Sequence, residues 1–376
     1  MEWEREGTVP PHVFETFGKH NMLLPNLPSP LPVEWLKKLN IHDILGVKVE
    51  DWDLIYTGIY LDEMSRCGLS GPPSSLTAGF AFGIPPMLKF GSAALQEKFL
   101  PDMLTCKTRS CIAITEPDAG SDVANITTTA EKSADGKHYI INGEKKWITN
   151  GIWSDYTTMA VRTGGPGPTG LSMIVVPLKG YPGVTMRRLP VSGQVCGGTT
   201  FIELDNVKVP VENLIGREGY VGVTRQARVA LSAAFEYCMK REAFGKTLMD
   251  QPVVRHRLSK AGAELESMWA WAEQFLYQMN NMSKDEGDRR LGGLTALAKA
   301  RAGIVLNECA QVAVLLFGGL GFTKSGQGEL VEKILRDVPG ARIPGGSEDV
   351  LLDLAVRQLV KNFKAETKKL GEPAKL

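Results

Sequence analysis

Apolar positions along the chain change their spacing twice. From about residue 13 to residue 104 they cluster at helical intervals, Trp35, Leu36, Leu39 and Ile41 and then Leu54, Ile55, Ile59 and Leu61, with prolines at 25, 28, 30 and 32 and again at 73, 85, 86 and 101 between clusters. Residues three or four apart share one face of a helix, and proline interrupts the helical hydrogen-bond ladder, so this stretch predicts short packed helices. Between Cys111 and about Ile215 the period falls to two and β-branched residues take over, at 126–130, 139–141, 156–161, 171–176, 184–189 and 199–204. Such alternation makes strands with one face buried, and Asp135-Gly136 between the first two tolerates the positive φ of a tight hairpin. Six or more strands predict a compact antiparallel β-domain or small barrel.

Helical spacing returns after Gly219. Val254, Leu258, Ala261, Leu265, Met268, Ala272, Phe275 and Met279 step by four and three residues in turn, one apolar stripe on a helix ending near Met282. Val223, Ala227, Ala230, Ala234 and Cys238 form a shorter stripe, Leu294, Leu297, Ile304, Val305, Val312 and Leu316 another, and Val350, Leu354 and Leu359 a fourth. Four amphipathic helices bury these stripes together as a bundle. The expected class is α+β: an N-terminal helical domain over 1–110, a middle antiparallel β-domain over 111–215, and a C-terminal four-helix bundle with its tail over 216–376.

Composition adds mainly exclusions. The 376 residues are 43% hydrophobic and 23% charged, enough to bury large cores. Lys and Arg number 43 against 42 Asp and Glu, so no broad basic field is there to attract nucleic acid. The six cysteines include no C-x-x-C pair and the five histidines no H-E-x-x-H, so reduced thiols and no metal site are expected. No uninterrupted apolar run approaches the roughly eighteen residues that would predict a membrane span. The acidic start, Glu2-Trp3-Glu4-Arg5-Glu6, has neither the apolar core of a signal peptide nor the acid-poor composition of a mitochondrial presequence. Ala374-Lys375-Leu376 resembles an S-K-L peroxisomal address read by an import receptor, so a peroxisomal or cytoplasmic location is expected rather than a mitochondrial one.

The common nucleotide motifs fail. Gly318-Gly319-Leu320-Gly321 misses the G-x-G-x-x-G spacing and follows a helical pattern, and neither a P-loop nor G-x-S-x-G occurs. Two runs carry more chemistry, Ile114-Thr115-Glu116-Pro117-Asp118-Ala119-Gly120-Ser121-Asp122 and Asn142-Gly143-Glu144-Lys145-Lys146-Trp147-Ile148-Thr149-Asn150-Gly151. Small hydroxyl residues beside glycine offer N–H and O–H groups without steric block, and Trp147 offers a flat apolar face, a combination that suits a flavin. By themselves both runs also read as ordinary turns at strand edges with a half-buried tryptophan.

Together with Arg241-Glu242-Ala243-Phe244-Gly245-Lys246 and Phe317-Gly318-Gly319-Leu320-Gly321-Phe322, these runs resemble in order and spacing the signature segments of the acyl-CoA dehydrogenase family, from about Val13 to Lys361. The resemblance implies a homotetrameric FAD flavoprotein of fatty-acid or related acyl-thioester metabolism. A carboxylate would remove the acyl-CoA α-proton while the β-hydrogen leaves as hydride to the flavin, and two electrons would pass on to electron-transfer flavoprotein or to O2. It implies FAD contacts at Ile114, Thr115, Gly120, Ser121, Trp147 and Thr149, at Arg241 and Phe244 toward the FAD of a partner subunit, at Gly318 and Gly319 by the pyrophosphate, and at Ser347 and Asp349. Ser121 would also neighbour the CoA chain. Leu315 stands where the family has a glutamine that helps bind FAD, and Pro252 near another such position. Without the resemblance, Arg241 reads as the last turn of a helix with Gly245 closing it.

The base of the reaction departs from the family pattern. It is a carboxylate just before a Gly-Thr/Ser step, where this chain has Gly345 in Ile343-Pro344-Gly345-Gly346-Ser347, or a residue early in the first bundle helix, where the chain passes from Gly219 to Tyr220 with most of that stretch absent. A first bundle helix of roughly twenty residues or fewer, about 30 Å long, is therefore expected. Glu348 and Asp349 remain as candidate bases, and also read as acids in the first turn of a helix capped by Ser347; Glu218 is a third candidate. Beside acyl-CoA dehydrogenation, a non-catalytic flavin-binding subunit and a flavin oxidase of the acyl-CoA or nitroalkane type stay open.

Overall fold

A computed structural model of the protein describes residues 1–167, 170–215, 224–243 and 245–370. Glu218, the junction of Gly219 with Tyr220, Val223, Phe244 and Ala374-Lys375-Leu376 lie outside the described residues. The chain divides into two compact units, Met1–Asp53 with Ser70–Tyr220, and Leu54–Leu69 with Val221–Leu376.

Along the first hundred residues lie α1 (Glu2–Glu6), α2 (Pro11–Lys19), α3 (Val33–Lys38), a ribbon of β1 (Asp43–Ile44) and β2 (Val47–Lys48), α4 (Leu54–Met64), α5 (Gly71–Ala78), α6 (Pro85–Phe90) and α7 (Ala93–Leu104); all but α4 belong to the first unit. Proline opens α2, α5 and α6, where its missing N–H would be unbonded in any case. A π-turn over Gly79–Gly83 joins α5 to α6. A Cβ at Gly79 would stand 2.5 Å from the Ser110 carbonyl oxygen, so glycine there lets the helix press onto the strand that follows α7. At the chain start, Glu4 is buried and its carboxylate accepts the N–H groups of Val195 at 2.9 Å and Cys196 at 3.4 Å.

The strands β3 (Ser110–Ala113), β4 (Thr129–Lys132), β5 (His138–Ile148), β6 (Tyr156–Arg162), β7 (Leu171–Pro177), β8 (Val184–Arg188), β9 (Thr200–Pro210) and β10 (Leu214–Ile215) form one sheet in the order β10-β7-β6-β4-β5-β9-β8, with β3 beside β6. Pairing is antiparallel except where β3 runs parallel to β6 and β4 touches it at Thr129 and Arg162. The Asp135-Gly136 turn is a hairpin, pairing Thr129 with Asn142 and Lys132 with Tyr139 and holding Gly136 at φ +68. Cys111, Ile141, Met159, Val161, Ile174 and Ile202 meet in the core of the sheet.

In the second unit α8 (Thr224–Lys240) is followed by a ribbon of β11 (Glu242–Ala243) and β12 (Lys246–Thr247), then α9 (Pro252–Asn281), α10 (Lys284–Phe317), α11 (Glu329–Arg342) and α12 (Glu348–Leu370). The described part of α8 is 17 residues long against 30 for α9 and 34 for α10. α10 touches α8, α9, α11 and α12, a central place that explains apolar residues almost all round it. By length and composition the stretch Arg289–Phe322 could cross a membrane. The α9 stripe is buried at Val254, Ala261, Leu265, Met268 and Phe275, while Met279 is exposed.

Three expectations change. α11 adds a helix to the four that the stripes predict, because its short inward set, Val331, Ile334 and Val338, is broken by charged residues and Pro339. On α12 the Val350, Leu354 and Leu359 stripe faces outward, and Leu351 and Ala355 face the core. A Cβ at Gly293 on α10 would stand 3.1 Å from the Ala355 carbonyl oxygen, so the two helices approach through their smallest residues and the larger apolar face of α12 is left outside. Finally, α8 stops at Lys240 and Gly245, at φ +71, lies in the turn of the β11–β12 ribbon rather than closing the helix.

Candidate functional site

In the sheet unit the site is built on β5. Its inward positions alternate through Tyr139 and Ile141 to Lys145, and unbroken alternation would turn Trp147 inward as well. Instead the register against β9 slips between Lys145 and Ile148, Trp147 takes φ +65, and Ile148 is the next buried residue. One extra residue reverses the parity of the strand. The indole is left 53% exposed, with the Lys146 ammonium 5.0 Å from its ring centre. The second run is therefore mostly strand, bulged at the tryptophan, and not a turn at a strand edge.

A bulky residue in left-handed backbone costs on the order of 1 kcal/mol or more, so something must hold it there. Beneath it Lys145, fully buried, meets Glu116 of the first run, 3% exposed, at 2.7 Å. The same carboxylate accepts the Thr127 N–H at 2.6 Å, the Thr127 hydroxyl at 2.9 Å and the Thr128 N–H at 3.0 Å. Burial pushes Glu116 up, yet the Lys145 ammonium and the threonine donors outweigh it and hold the carboxyl at about 2. Burial draws Lys145 down to about 8 against the pull of Glu116, so both groups are ionised at neutral pH. Lys145 also donates to the Ile114 carbonyl at 3.0 Å, and the Lys146 N–H to the Thr115 carbonyl at 2.8 Å.

These bonds bring Ile114 and Thr115 alongside the strand of Trp147, with Thr149 just past its end. Gly120 and Ser121 follow on exposed loop, with nothing within 4 Å of a Cβ added to Gly120. Sequence reasoning gave Glu116 and Lys145 no role. Their signal was there: Lys145 sits at an inward parity position of an apolar strand, where a charge needs a partner.

In the bundle unit, Tyr237 and Phe317 stack with ring centres 4.1 Å apart at 15°. Tyr237 lies one turn before Arg241, and Phe317 immediately precedes Gly318, so this unforeseen stack joins the ends of α8 and α10 and brings together two of the expected cofactor segments. Gly318 has φ 60 and ψ −136, a conformation glycine alone adopts without strain, and a Cβ at Gly318 or Gly319 would meet nothing within 4 Å. Leu315 is exposed one turn earlier. Ser347 and Asp349 lie apart from this pair, beside Asn307 on α10. They line a cavity of about 400 Å³ with Asn307, Leu335, Arg342 and Glu348. Ser347 precedes the first turn of α12, which contains Glu348 and Asp349, and its carbonyl accepts the Leu351 N–H at 3.0 Å. The Arg342 guanidinium takes up the Glu348 carboxylate, its Nε at 2.9 Å and Nη2 also bonded, whereas Asp349 is exposed with no partner among the described residues.

Residues 111–207 match the middle domain and residues 219–360 the C-terminal domain of acyl-CoA dehydrogenases. The chain is 75% identical over 389 aligned positions to the acyl-CoA dehydrogenase apdG of Emericella nidulans, covering 99% of this chain and 89% of that one. The aligned stretch is longer than the 376 residues here, so that relative carries internal residues with no counterpart in this chain. Among solved structures, the acyl-CoA dehydrogenase of Geobacillus kaustophilus is 27% identical with a TM-score of 0.79, covering 95% of this chain and 92% of that one. An acyl-CoA dehydrogenase from Bacillus anthracis, complexed with FAD, shares the fold at 24% identity and a TM-score of 0.79, covering 99% of this chain and 65% of that one. The chain belongs to the acyl-CoA dehydrogenase family.

The residues present fit a flavin. The Trp147 indole is held outward and 53% exposed, a flat apolar face open to a ring. Gly120, Gly318 and Gly319 leave open space that their own surroundings do not fill, as backbone does where a ligand comes close.

Proposed function

We propose that the protein is an FAD-dependent dehydrogenase that converts an acyl-CoA thioester to its 2-enoyl thioester. The observation that carries this reading is Trp147, turned outward by the β5 bulge and fixed from below by the buried Glu116–Lys145 pair. FAD, when bound, supplies the acceptor for the hydride leaving the β-carbon. Ile114, Thr115, Gly120, Ser121, Trp147 and Thr149 would hold it from the sheet unit, with Ser121 also beside the CoA chain. Arg241, Phe244, Gly318, Gly319, Ser347 and Asp349 would do so from the bundle unit. The exposed apolar face of α12, which includes Val356 and Phe363, supports a homo-oligomer in which some of these contacts reach a partner's flavin. Electron-transfer flavoprotein or O2 would take the electrons onward.

The α-proton needs a carboxylate within hydrogen-bond reach and free to accept it. Of the two candidates among the described residues, Glu348 is paired with Arg342 and Asp349 is not, so we assign the role to Asp349. Anaerobic addition of a panel of acyl-CoA thioesters to the FAD-loaded protein should bleach the oxidised flavin band, and Asp349→Asn should slow bleaching about 10²–10⁴-fold. An intact band on protein that retains FAD would overturn the reading.

A second reading, a flavin-binding protein without turnover, is favoured by Gly345 at the family's base position. Gly345 has φ +68 and open space where a Cβ would stand, so Gly345→Glu carries backbone strain but no clash. On that second reading the unaltered chain does not bleach and Gly345→Glu does.

A further inference from the structure

The loop between α11 and α12 is poorly constrained by its own sequence. Gly345 and Gly346 follow one another at φ +68 and +100, and adjacent glycines give up more conformational freedom on ordering than other residues. What orders the loop comes from α10. The Lys299 ammonium donates to the Arg342 carbonyl at 3.2 Å, where α11 ends, and across the loop to the Gly346 carbonyl at 2.6 Å. One turn further along α10, a Cβ at Gly303 would come within 2.8 Å of the Arg342 side chain, so α10 is pared back to let that side chain cross it. Arg342 then reaches Glu348, the first residue of α12. The loop is thus closed twice, backbone to backbone through Lys299 and helix to helix through Arg342.

We infer that Lys299 is a positioning residue for the 343–347 loop and, through it, sets how tightly Ser347 and Asp349 hold FAD; this rests on the flavin reading above. A lysine suits the task. Its three N–H groups sit on one atom at the end of a flexible stem, so one head can serve two carbonyls, and the carbonyl at the end of α11 carries the negative end of the helix dipole.

Lys299→Met keeps the stem and removes the donors. In flavin-free protein, hydrogen exchange of the Ile343 and Leu351 amides, bonded to the Pro339 and Ser347 carbonyls at the two ends of the loop, should quicken about tenfold, as expected for losing charge-assisted bonds, while exchange in α9 stays unchanged. In loaded protein the FAD dissociation constant should rise about tenfold, and Lys299→Arg, which keeps a charged donor, should bring it back to within about threefold. Unchanged exchange overturns the clamp whether or not the protein binds flavin. Quickened exchange with an unchanged dissociation constant overturns its role in the site. If the unaltered chain binds no FAD, the flavin reading itself falls, an outcome distinct from either. Should Lys299→Met not fold, Lys299→Gln, with a shorter reach, takes its place in both measurements.

Discussion

Two ion pairs lie among the candidate residues, one in each unit, and they are built in opposite ways. Glu116–Lys145 is sealed in the sheet unit, with the remaining capacity of the carboxylate spent on Thr127 and Thr128. Arg342–Glu348 sits in the bundle unit with side chains 35% and 23% exposed. Taking two charges out of water costs several kcal/mol, which only their mutual attraction and further hydrogen bonds can offset, so losing one buried partner strands the other. Where water still reaches both partners, it replaces whichever is lost. The same chemistry therefore supports stability in one half and geometry in the other.

The largest effect should come from breaking the sealed pair. Lys145→Met should lower unfolding stability by about 3–5 kcal/mol in denaturant titration; a loss under about 1 kcal/mol would mean that water enters and the contrast with Arg342 is false. Acid should separate the pairs next. Glu116 is held at about 2 against an ordinary 4.5, so its contribution is complete above about 4.5 and disappears as pH falls toward 2. That window should cost about 3 kcal/mol in the unaltered protein and be smaller in Lys145→Met, where only the threonine donors still lower the carboxyl.

A buried carboxylate held by backbone donors sharpens the comparison further. Glu4→Ala leaves the Val195 and Cys196 N–H groups unpaired and should cost about 1–3 kcal/mol. The smallest effect belongs to Arg342→Gln, about 1 kcal/mol or less in global stability by the same titration.

Much of this architecture was legible. The strands expected at 156–161 and 171–176 are β6 and β7, although 157–161 and 174–176 are buried without alternation, and the α9 stripe faces the core from Val254 to Phe275. What escaped reading depends on partners far away in sequence. Trp147 faces outward because β5 slips against β9, and a bulge leaves no mark in a period-two pattern until the partner strand is known. α12 carries apolar residues on two sides, and the close approach at Gly293, not hydrophobicity, selects the side with Ala355. The stack of Tyr237 on Phe317 joins residues eighty positions apart, each unremarkable in its own helix.

The central helix of the bundle also has a consequence for how the chain is made. α10 is covered by α8 and α9, which precede it, and by α11 and α12, which follow it. During translation it leaves the ribosome before the last two exist. For that interval the faces of α10 that α11 and α12 later cover stand open to water. Order of synthesis thus leaves the last part of its burial to helices that follow it in sequence, and until they fold onto it that surface is open to aggregation.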